Sequence, residues 1–74
     1  MVRSLRLQLA LAVVRQYPRG VPFRAVATTL ARHANHSIDA RSLDVALSRL
    51  CEVGLIERRD AIGSRPVYIP RDAP

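Results

Sequence analysis

A glycine at position 54 splits the second half of this chain into two patterns that cannot continue into one another. Before it, Leu43, Ala46, Leu47, Leu50 and Val53 recur at helical spacing, which marks the buried face of a helix. After it come G-L-I-E-R-R (54–59), D-A-I-G-S-R (60–65) and P-V-Y-I-P (66–70), two short β-prone runs around a turn-rich loop containing Gly63. Both ends of this helix carry signals. Asp39 is placed to cap its first turn, with Ile38 and Leu43 at the two positions of a hydrophobic staple. Gly54 is suited to the left-handed residue that ends a helix, which sets Leu50 against Leu55 in a Schellman contact.

The strands are expected at Leu55–Arg59 and Val67–Ile69, with Val67 and Ile69 on one face and Tyr68 on the other. Pro66 and Pro70 restrict pairing, as at a sheet edge. A two-stranded ribbon is not stable alone, so its apolar side must lean on helices.

Two further helices precede this unit. Residues 4–17 read as the first, opened by Ser4 and closed before Pro18. Its leucines also fit a period of two, but Leu, Ala, Gln and Arg favour helix. Leu5, Leu9, Ala12 and Val13 form one apolar side and Leu7, Leu11 and Val14 another, wider than one small core requires. Either both sides enter a single tight core, or Leu7, Leu11 and Val14 form the interface of a homodimer. Arg19-Gly20-Val21 reads as a turn, and Pro22 as the first residue of a second helix running to about Arg32, with Phe23, Val26, Ala27 and Leu30 as its stripe. A polar connector, His33–Ser37, follows.

With 74 residues, the chain is expected to form one domain over residues 1–70 and a tail at 71–74. The fold class is α+β, mainly α: three helices and a C-terminal two-stranded β-hairpin. At this length no separate effector domain is expected.

Twelve basic against six acidic residues give a net charge of +6, with a pI near 11.3. Such a balance points to an anionic partner. All the basic residues are arginine, a side chain that grips phosphate and guanine through two hydrogen bonds at once, although a GC-rich genome yields the same bias. The single Cys51 excludes an internal disulfide and fits a reducing, cytoplasmic setting. The longest apolar run, Leu5–Val14, is interrupted by Arg6 and Gln8 and is too short to span a membrane. No paired acids, nucleophile motif or phosphate-cradling loop is found, so an enzyme is not expected. His33, His36 and Cys51 match no zinc spacing; neither metal nor cofactor is expected.

The order helix, helix, helix, G-L-I-E-R-R, G-S-R, V-Y-I resembles a winged helix-turn-helix DNA-binding domain of the bacterial or phage transcription-regulator type, over roughly residues 4–70. Its most specific stretch is L-S-R-L-C-E-V-G-L-I-E-R-R, residues 47–59. The resemblance implies that the third helix enters the major groove of double-stranded DNA through Arg41, Ser42, Asp44, Val45, Ser48 and Arg49. It implies that Arg58, Arg59, Ser64 and Arg65 of the hairpin, the wing, lie on the backbone or minor groove. Arg24, at the start of the second helix, is the best phosphate contact among the remaining arginines. Arg41 is placed to reach a guanine edge, and Asp44 either to accept from a cytosine amine or to repel phosphate. The expected function is a small sequence-specific transcriptional regulator, working as a homodimer. The alternative is a winged-helix adaptor whose arginines bind an acidic protein surface instead of DNA.

Overall fold

The computed structural model describes residues 5–33, 39–60, 63 and 65–71. Along the chain run α1 (Leu5–Arg15), β1 (Val21–Pro22), α2 (Phe23–His33), α3 (Ala40–Glu52), β2 (Ile56–Arg59) and β3 (Val67–Pro70). The strands form one antiparallel sheet in the order β1-β3-β2.

Both ends of α3 form as their residues dictate. The Asp39 carboxylate accepts from the Ser42 backbone N–H at 2.7 Å, satisfying one of the amides that a helix start leaves open. At the other end Gly54 has φ +81°, the Leu55 N–H donates to the Leu50 carbonyl and the Gly54 N–H to the Cys51 carbonyl. Those two bonds are the Schellman pair. The staple expected between Ile38 and Leu43 lies outside the described residues, as does the Ser4 cap.

The expected hairpin pairs from Ile56 with Pro70 to Arg59 with Val67. The sheet also has a third strand, because Val21 and Pro22 pair with Tyr68 and Val67 where the sequence pattern predicts a turn and a helix start. A two-residue strand has no periodicity to read, and its partner lies far along the chain. Val21 is buried in the core, and Pro22, which lacks an N–H, stands at the strand's end just before α2. Gly20 makes this approach feasible: its φ is +114°, and a Cβ there would meet Val67 Cγ2 at 3.0 Å.

One core lies under all these elements. It takes Ala10, Leu11, Val13 and Val14 from α1, Val26 and Leu30 from α2, Leu43, Ala46, Leu47 and Leu50 from α3, and Val21, Ile56 and Tyr68 from the sheet. Among the described residues no polar or charged side chain is buried. Ile56 and Tyr68 are the residues by which the hairpin leans on the helices, while Val67 and Ile69, on the other face, are half-buried.

The wide apolar surface of α1 follows from its position: it packs against α2, α3 and β3 at once. This corrects the homodimer interface expected at Leu7, Leu11 and Val14. Leu11 and Val14 are core residues of a single chain, at 7% and 0% exposure, and only Leu7 is left half-buried at the surface. The helix tightens before Pro18, with the N–H groups of Gln16 and Tyr17 reaching back three residues to the Val13 and Val14 carbonyls.

Candidate nucleic-acid interface

With Leu43, Ala46, Leu47 and Leu50 pointing inward, helical geometry turns Arg41, Asp44, Val45, Ser48 and Arg49 outward, and all five are exposed. Two flanks differ in what adjoins them. Along one, Arg41, Val45, Arg49 and Val53 stand four residues apart and form a line beside α1. Along the other, Asp44, Ser48 and Cys51 follow at helical spacing, and the charges of Asp44 and Cys51 act on Tyr68 of the sheet.

The α1 flank is a groove of about 840 Å³, lined by Arg6 and Leu7 from α1, by Arg41, Ser42, Val45, Ala46, Arg49, Leu50 and Val53 from α3 and its cap, and by Leu55. Its rim is basic and its floor apolar. Arg6 comes from 36 residues earlier in the sequence, and its Nη1 donates to Ser42 Oγ at 3.5 Å. The Arg6 and Arg41 charges also act on the capping carboxylate: hydrogen bonds from the Ser42 side chain and backbone, together with those charges, hold Asp39 below its ordinary range. Among the described residues neither Arg41 nor Arg49 makes an ion pair. Nothing in the sequence pattern singles out Arg6. Its i+1 and i+3 neighbours Leu7 and Leu9 are half-buried, so Arg6 lies just off the packed side of α1, but only tertiary contact puts it at α3.

Val53 departs from its expected burial, being 63% exposed, because it is the helix cap, past the last buried turn at Leu50. Val45 is 56% exposed. Both therefore present apolar surface between arginines.

On the sheet flank Tyr68 sits behind Asp44 and Arg58. Burial pushes its phenol pKa up, Arg58 opposes that shift, and Asp44, Cys51 and Asp60 add to it. Burial likewise raises the Cys51 thiol, against a hydrogen bond from the Arg58 backbone, which leaves it a protonated apolar filler.

The wing arginines do not share one direction. Arg58 stands opposite Tyr68 in the register and so shares the helix-side face with Ile56. Arg59 and Glu57 occupy the outer face, where Arg59 pairs with Glu57 at 2.9 Å and Arg71 approaches the same carboxylate at 3.9 Å. Arg58 is itself paired with Asp60 at 3.4 Å. Arg65 is exposed beside the turn, and Ser64 lies outside the described residues. Arg24 is exposed in the first turn of α2 but does not line the groove. The site residues thus divide: Arg41, Ser42, Val45 and Arg49 gather with Arg6 on one flank of α3, Asp44, Ser48 and Arg58 lie on the other, and Arg59 faces away. Among the described residues no helix is long and apolar enough to cross a membrane.

No protein-family model and no curated protein matches this chain. The fold is similar to that of a solved structure of HOP2, described as giving insight into its DNA recognition and protein interaction domains and its homologous DNA pairing properties. The TM-score is 0.73 at 18% identity, over 89% of this chain and 98% of that one. Three helices and an antiparallel three-stranded sheet ending in a hairpin make this chain a winged-helix fold.

Proposed function

We propose that this domain binds double-stranded DNA, with the outer face of α3 in the major groove and the wing against the backbone or minor groove. One observation carries the reading: Arg6, Arg41 and Arg49 converge on the exposed side of α3, the helix that a winged-helix fold presents to a groove. Arginine there supplies both phosphate neutralisation and bidentate contact to guanine. The DNA recognition ascribed to HOP2, whose structure is similar, supports this. Transcriptional regulation by occupying a specific site, in the cytoplasm, is the finer part of the proposal. Pairing as a homodimer belongs to it as well, and has to use surface other than Leu11 and Val14.

The test is duplex binding at two salt concentrations. With six or more phosphate contacts, affinity is expected to fall by about 10³-fold between roughly 50 and 200 mM salt. A flat response removes the reading.

A second reading, an adaptor for an acidic protein surface, is favoured by one observation: Val45 and Val53 stand exposed among those arginines. Under it, no duplex shifts even at low salt, and capture of the partner survives nuclease treatment.

A further inference from the structure

The groove between α1 and α3 has a composition that DNA binding leaves unexplained. Its rim carries three guanidinium groups, Arg6, Arg41 and Arg49, and among the described residues no acid lines it, although the Arg6 and Arg41 charges act on the capping Asp39. Its apolar lining is Leu7, Val45, Ala46, Leu50, Val53 and Leu55, of which Val45 and Val53 stand exposed between the arginines. A phosphate backbone satisfies the rim but leaves such a lining without a partner, since the apolar groups of a duplex major groove are isolated thymine methyls. A second copy of the chain supplies apolar surface but brings another +6 charge against the same arginines.

We propose that this groove docks an acidic amphipathic helix of a protein partner, its apolar stripe on the floor and its carboxylates on the three arginines. The inference takes from the protein-binding reading only its acidic partner, to which it assigns a site and a binding mode, and rests on the DNA reading for the exclusion drawn from it. From Val45 to Val53 the apolar lining follows α3 for about 12 Å, the length of roughly two helical turns. A helix of that length presents leucines at i, i+3 or i+4, and i+7 to a groove of this kind. Flanking glutamates then meet arginines that have no ion-pair partner among the described residues. Arg41 and Arg49 also belong to the proposed DNA face, so the two partners exclude one another. That makes the docked helix a means of releasing the domain from DNA.

The experiment uses a fluorescent synthetic peptide of about three turns, with leucines at those spacings and glutamates on both flanks, and a scrambled peptide of the same composition. Polarisation is expected to show the ordered peptide binding at least about tenfold tighter than the scrambled one, the difference being the buried stripe. Val53→Gln, at a residue exposed enough to leave folding intact, is expected to weaken the ordered peptide about fivefold to tenfold and to weaken duplex binding by less than that. Unlabelled duplex is expected to displace the peptide. Equal binding of both peptides reduces the groove to a basic patch and overturns the inference, as does Val53→Gln binding like the parent. Peptide and duplex bound together overturn the exclusion. Duplex binding with no peptide binding overturns the inference and leaves the DNA reading intact, whereas peptide binding with no duplex shift supports the docking and overturns the DNA reading.

Discussion

The groove flank of α3 and the wing carry the same cation in two electrostatic states. Arg41 and Arg49 face solvent with no acid in ion-pair range among the described residues, while Arg58 and Arg59 are each held by a neighbouring carboxylate two positions away. The wing pairs are exposed, and pairs of that kind are worth only about 0–1 kcal/mol. They are weak enough for a phosphate to replace the carboxylate. The same exchange restores two solvated acids beside the DNA, so a wing arginine yields less net attraction than one on α3. Counting arginines thus overstates what the wing contributes.

The strongest way to break this comparison is to remove the support that both regions share. Leu47 is fully buried beneath α3, and Leu47→Ala is expected to cost about 2–5 kcal/mol in chemical denaturation, a large share of the stability of so small a domain. A loss below about 1 kcal/mol would mean that α3 is not anchored through this layer.

Next in size is the direct contrast between the regions. Arg41→Ala is expected to weaken binding to a preferred duplex by about 5–150-fold and to relax preference at one base position. Arg59→Ala is expected to cost no more than about fivefold and to act alike on all sequences. Equal losses in the two variants sink the distinction drawn between α3 and the wing.

Glu57→Gln sharpens the contrast by making the wing resemble the groove. It frees Arg59 and Arg71 from their shared carboxylate, and duplex affinity is expected to rise by about twofold to fivefold, with a steeper salt dependence. Unchanged affinity together with an unchanged salt slope would show that the outer face of the sheet does not meet the polyanion.

The smallest effect concerns the cap that orders the start of α3. The Asp39 carboxyl is held below its ordinary value of 3.8. Its contribution is therefore fully present above about that value and is lost as pH falls through the lower folded one. A slight loss of helical circular dichroism is expected at the acid end of a titration from pH about 5 to 2, and Asp39→Asn, which caps without titrating, is expected to remove that step.

Much of this could be read directly. The ends of α3 and the hairpin rest on interactions between residues close in sequence, where a carboxylate three residues before an amide, or a glycine after a leucine repeat, carries its own geometry. The outward set on α3 was legible for the same reason, since helical period alone separates Leu43 and Leu47 from Arg41 and Ser48. The fate of the second apolar side of α1 was not legible, because a surplus of leucine and valine does not say whether the covering surface belongs to the same chain.

The sequence by itself determined where the helices and hairpin lie, which side of α3 turns outward and that the molecule is strongly cationic, because local hydrogen bonding, side-chain periodicity and charge are properties of neighbouring residues. Only the tertiary structure decided that Val21 joins the sheet, that Leu11 and Val14 of α1 are buried within one chain, that Arg6 meets α3 across 36 positions and that Arg59 turns away. Those outcomes depend on packing between distant segments, and packing follows from shape and burial summed over the whole core.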